Sequence, residues 1–192
     1  MIRSNSRPAL AAVALLIFLG FYNLSIIGKE RLLNYGQVMV LRLAPVDPRS
    51  LMQGDYMVLD FDAANAISNA LKASGAVTED DDDDSDGIAD AWSKAASIRR
   101  AVMTEDGGVW GFKRLHHGET LAEGEMLLAF KLERQGWRTG VKIGSGSYFF
   151  EEGLEPLYSR ARFAELRVGG DGETLIVGLL DENKQRIRAK DD

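Results

Sequence analysis

The chain has 192 residues, 45% of them hydrophobic, which suits one compact domain with an appendage and excludes wholesale disorder. Its formal net charge of −6 is local: eight of its 29 acids, Glu79, Asp80 to Asp84, Asp86 and Asp90, share one window without a base, and the 21 acids left face 23 bases, so no nucleic-acid partner is expected. The absence of cysteine excludes thiol nucleophiles, disulfides, iron–sulfur clusters and Cys-ligated zinc.

Residues 1–8 form a short basic N-terminus containing Arg3 and Arg7, expected to stay in the cytoplasm. Residues 9–27, from Ala9 to Ile27, are uncharged. As a helix this stretch spans ~28 Å, close to the ~30 Å hydrocarbon core, and so predicts a transmembrane anchor in contact with the lipid bilayer. A cleaved signal peptide has a shorter apolar region and ends at a small-x-small site, which Leu24 to Lys29 do not offer. The expected location is therefore a bacterial inner membrane, with one pass and the C-terminal domain in the periplasm. Charges flank both ends of the span almost equally, so orientation rests on the short basic start rather than on the count.

After a linker over residues 28–36, the soluble domain is expected over 37–181. Gln37 to Leu43 reads as a strand, and Pro45 and Pro48 then force an extended or turned path. Gly54 and Asp55 mark a turn before a second strand, Tyr56 to Phe61. Alternation puts Met57, Leu59 and Phe61 on the core side of that strand and Tyr56, Val58 and Asp60 on the other. Asp62 is expected to cap a helix whose apolar positions Ala63, Ala66, Ile67, Ala70 and Leu71 form one face.

An acidic loop, 78–92, precedes a series of hairpins. These pair Ala101–Met103 with Val109–Phe112, Met126–Leu132 with Trp137–Ile143, and Leu166–Val168 with Thr174–Leu180. Between the last two come a short aromatic strand, 147–150, and a brief helix carrying Leu154, Leu157, Tyr158 and Ala161. Residues 182–192 form a charged tail. The fold class is α+β, mostly antiparallel because the connections are short.

Asp47 to Phe61, together with Phe149 to Gly153, Tyr158, Arg162, Phe163 and Glu165 to Val168, resembles the bacterial GDYXXLXY family. Phe61 stands where the family's name has its second tyrosine, and the poly-Asp window looks like an insertion. The resemblance implies a membrane-anchored envelope protein working with a polytopic membrane protein, without an established catalytic activity. It singles out Asp47, Arg49, Gly54, Asp55, Tyr56, Leu59, Phe61, Glu152, Tyr158, Arg162 and Arg167 as motif or partner-binding residues. From the residues alone the same set reads first as structural. Gly54 and Asp55 suit the turn, Arg49 suits an ion pair with Asp47 or Asp55, and a glutamate of the Glu151-Glu152 pair suits a helix cap. Arg162, Glu165 and Arg167 suit an ion-pair set around Tyr158.

Asp82 to Asp90 fits D-x-D-x-D-G-x-x-D and resembles thrombospondin type 3 and EF-hand calcium loops. Asp82, Asp84 and Asp86 would converge on one calcium ion, with the Ile88 carbonyl at position 7 and Asp90 at position 9. Ser93 at position 12 excludes a complete EF-hand. Composition alone produces such matches, so a solvated acidic spacer stands beside the calcium loop.

His116 and His117 point apart if extended and are expected at the surface. Gly144 to Ser147 lacks a Walker lysine and reads as a loop between strands. No catalytic residue is identified, and the function expected is that of a binding or accessory domain. A calcium-responsive module and an envelope hydrolase are the alternatives.

Overall fold

The structure, a computed structural model, describes residues 6–44, 56–75, 100–135 and 138–188. One helix, α1 (Ser6–Tyr35), leads into an α+β domain. From Val13 to Tyr35 it is long and apolar enough to cross a membrane, and its most apolar 18-residue window is not packed inside the domain. Leu15, Leu16, Ile17, Phe18, Phe21 and Leu24 are all exposed, which suits a helix whose solvent is hydrocarbon.

Where a linker is expected over residues 28–36, the helix instead continues to Tyr35, and only Gly36 separates it from the first strand. The junction is packed. Leu32 is buried, the Gly36 amide donates to the Leu32 carbonyl at 2.9 Å, and Arg167 Nη1 donates to the Gly36 carbonyl at 3.1 Å. A β-carbon at Gly36 would strike the Leu32 carbonyl oxygen, so this turn requires glycine.

The domain is built on a seven-stranded sheet in the order β6-β5-β3-β4-β1-β8-β9. Its strands are β1 (Gln37–Arg42), β3 (Arg100–Asp106), β4 (Val109–Leu115), β5 (Glu125–Gln135), β6 (Arg138–Ile143), β8 (Phe163–Val168) and β9 (Thr174–Leu180). Every neighbouring pair is antiparallel except β1 with β4, which run parallel through Leu41 opposite Trp110. Gly107 and Gly108, both at positive φ, make the two-residue β3–β4 turn. Such a turn matches the strand twist when both central residues take positive φ, which glycine does without a steric penalty.

A separate ribbon pairs β2 (Tyr56–Val58) with β7 (Ser147–Phe149). Two helices complete the domain, α2 (Asp62–Ala73) and α3 (Glu155–Tyr158). The core side of α2 consists of Ala63, Ala64, Ile67 and Leu71, so small residues bring its axis close to the sheet. Its N-cap is Phe61 rather than Asp62, with no side-chain cap, and Asp62 lies in the first turn. Burial of the Phe61 ring sets where the chain turns into the helix. The expected glutamate cap on α3 is also absent: its N-cap is Leu154, whose amide donates to the Glu151 carbonyl at 3.2 Å.

Candidate functional site

The paired strand β2 ends at Val58 rather than Phe61, but burial alternates as expected through Phe61, which bridges to Leu43. Met57, Leu59 and Phe61 are buried, whereas Val58 and Asp60 are exposed and Tyr56 is half-buried. In the β2–β7 ribbon Tyr56 lies opposite Phe149, Met57 opposite Tyr148 and Val58 opposite Ser147. The outer face carries the Tyr56 and Phe149 rings 5.6 Å apart, with Val58 beside them. Phe149 is 72% exposed and Val58 43%. This is a small apolar surface on the two-stranded ribbon.

The inner face turns the other way. Tyr148 and Phe150 pack on Tyr158 with ring centroids 5.6 and 4.9 Å away. Burial first, and then Tyr148 and Glu151, raise the Tyr158 phenol above its ordinary pKa. Tyr158 is therefore a neutral core group at physiological pH.

Among the residues singled out from sequence, Leu59, Phe61 and Tyr158 thus lie in the core, while Tyr56 stands on the ribbon's outer face. Glu152 is exposed in the turn before α3. The expected ion-pair set is not formed among the described residues. Arg162 Nη1 instead donates to the carbonyls of Ala161 (2.8 Å) and Ser159 (3.3 Å), and Arg167 ties the sheet to the helix junction through Gly36. Backbone carbonyls at a turn and at a helix end offer these guanidiniums fixed acceptors, which Glu165 on the intervening strand does not. Asp47, Arg49, Gly54 and Asp55 lie outside the described residues, as do Asp82, Asp84, Asp86, Ile88 and Asp90. Among the described residues no group of three or more His, Asp or Glu is placed to hold a metal.

Sequence reasoning did not find a cleft of about 1230 Å³ beside the foot of α1. Its charged lining comprises the cations Lys29, Arg100, Lys131 and Lys142 and the single carboxylate Glu173, with His116 and His117 on one side. Phe130, Tyr148, Phe149 and Ile176 supply apolar wall. Lys29 pairs with Glu173 at 2.5 Å, Lys142 with Glu133 at 3.1 Å, and Arg100 Nε donates to the Asp171 carbonyl at 2.8 Å. Lys131 and Lys142 face each other directly across β5 and β6. The hairpin over residues 126–143 was legible, but its register, which makes these lysines neighbours, was not.

His116 is more enclosed than a surface loop residue, with a side chain 15% exposed and Nδ1 buried without a hydrogen bond. Glu119 Oε1 lies 3.5 Å from that nitrogen. The loop after β4 is held by two carboxylates. Glu119 accepts the His117 amide at 2.7 Å, and Glu125 accepts the Ala122 amide at 3.0 Å, Lys113 at 2.9 Å and Arg114 at 3.1 Å. The Glu125 side chain is only 4% exposed. The Ala122 amide first, then Lys113 and Arg114, hold its carboxyl below the ordinary value. A depressed folded-state pKa contributes stability that is present above the ordinary carboxylate pKa and is lost as pH falls through the lower folded value. Denaturant melts around pH 7 and again around pH 3 should show stability falling in acid, and E125Q should flatten that fall. An equally steep acid loss in E125Q would assign the effect to other carboxylates.

A family model described as GDYXXLXY protein matches residues 18–179, most of the chain. No curated protein and no solved structure matches it.

Proposed function

This chain belongs to the GDYXXLXY family, and we propose that it is a membrane-anchored accessory domain. In this reading α1 crosses the inner membrane once, the β domain lies on the periplasmic side, and the domain binds a polytopic membrane protein. The observation that carries the binding step is the ribbon's outer face, where the motif strand presents Tyr56 and Val58 beside Phe149. An exposed aromatic ring flanked by a β-branched neighbour gains apolar burial on docking with little side-chain entropy to lose. The helix supports the same reading, because it holds the domain close to the bilayer that would contain the partner.

A photo-crosslinking residue placed at Val58 in the full chain, expressed in cells, tests this. Adducts with a multi-span membrane protein are expected, and F149D should reduce them about tenfold, an effect of ~1.4 kcal/mol. Phe149 is largely exposed, so its replacement should leave folding within ~0.5 kcal/mol. Adducts with soluble proteins only, or yields indifferent to F149D, would sink the proposal.

A further inference from the structure

The basic cleft combines features that point to one class of ligand. Lysines directly opposite each other in an antiparallel pair repel, and the Lys131–Lys142 pair is only half relieved. Glu133 reaches Lys142, whereas Lys131 has no partner among the described residues. Four permanent cations against one carboxylate give the lining a surplus of positive charge, and Glu173 is already engaged by Lys29. An anion between the opposed lysines would relieve that repulsion.

The remaining walls are mixed: Phe130, Phe149 and Ile176 offer apolar surface beside His116, Ser145 and Thr174, a combination that suits an amphiphile with a polar headgroup. Placement narrows the choice again. Lys29 lies two residues beyond the uncharged 9–27 stretch, about 3 Å further along a helix. With that stretch in hydrocarbon, the wall of the cleft formed by Lys29 stands at the depth of lipid headgroups.

We infer that the cleft beside the foot of α1 binds the anionic headgroup of a membrane phospholipid through Lys131, Lys142 and Arg100. The inference rests on α1 being embedded, as proposed above. It adds a ligand class that the docking ribbon does not require and cations that lie off the ribbon, although Phe149 borders both surfaces. Binding of this kind would hold the domain against one leaflet through a lipid as well as through its anchor.

The test uses the full chain in nanodiscs of phosphatidylcholine with an equal share of phosphatidylglycerol, followed by native mass spectrometry of the lipids retained. Phosphatidylglycerol should be retained in preference to phosphatidylcholine. K131E/K142E should lower that preference about tenfold. R160E/R188E reverses as much charge at exposed positions outside the cleft lining and should preserve it. Equal retention of the two lipids, or a preference that survives K131E/K142E, overturns the inference. Displacement of phosphatidylglycerol by millimolar inorganic phosphate would overturn it too, by showing a site for a soluble anion. Alkaline carbonate extraction of cell membranes reports separately on the anchor. Release of the wild-type chain there refutes the embedded helix, while retention with no lipid preference refutes the cleft alone.

Discussion

Phe61→Ala is expected to destabilise the domain by about 3–5 kcal/mol, the usual cost of removing a buried aromatic ring. Phe61 is 1% exposed, bridges to Leu43, and stands at the entry to α2. Its carbonyl accepts the amides of Ala64 at 2.9 Å and Asn65 at 3.2 Å. Alanine keeps that carbonyl, so the loss measures the ring in its pocket rather than the helix start. Phe61→Tyr separates packing from polarity. It keeps the ring and adds the hydroxyl that the family's name carries at this place, at a cost of about 1–3 kcal/mol if the hydroxyl finds no partner. Urea denaturation of both variants decides the matter. A loss below about 1 kcal/mol in Phe61→Ala would mean that the pocket collapses around the deletion and that this position does not organise the core.

That ring was legible in advance because a strand has a period of two: once Met57 and Leu59 faced the core, Phe61 had to follow. The Gly107-Gly108 turn was legible for a similarly local reason, since a two-residue hairpin between alternating strands calls for positive φ. What escaped was decided at long range. Nothing in Gln37 to Arg42 says that β1 will lie parallel to β4 while pairing antiparallel with β8, because that choice depends on where the chain returns after residues 56–75. The destinations of Arg162 and Arg167 escaped in the same way, since their acceptors are carbonyls that exist as partners only once a turn and a helix end are in place. The cleft is the clearest case. Its charges come from α1, β3, β5, β6 and the β8–β9 turn, so no window of sequence holds it.

Gly172→Ala should be the second severe change, costing about 2–5 kcal/mol. Gly172 closes the β8–β9 turn at φ +88°, which any β-carbon disfavours. The position is also crowded: a β-carbon would come within 2.8 Å of the Ala129 amide nitrogen and 3.2 Å of Leu127 Cβ. The close approach has a purpose in the fold. The Gly172 carbonyl accepts the Ala129 amide at 2.8 Å, and the neighbouring Asp171 carbonyl accepts Arg100 Nε. This turn therefore crosses from one end of the sheet to β5, near the other end, and fastens strands that are not neighbours. Gly170, with open space around it, provides the comparison. Gly170→Ala should cost under ~1 kcal/mol, and similar losses at both sites would show that the contact with β5 contributes little.

The passage from Tyr35 through Gly36 into β1 leaves no slack between helix and sheet. A tethered domain on a floppy leash would sample many headings and heights above a bilayer. With α1 embedded as proposed, the eight residues from Gly28 to Tyr35, packed on the domain through Lys29 and Leu32, would hold it within ~12 Å of the apolar span. Its heading would then be set by the helix as well. Each helical residue advances the azimuth by about 100°, so for an embedded α1 the direction in which the outer ribbon looks would follow the phase of the helix. Under the docking proposed above, partner choice would become partly a matter of rotation: two proteins with the same docking face but helices differing by one residue would look in different directions across the membrane plane.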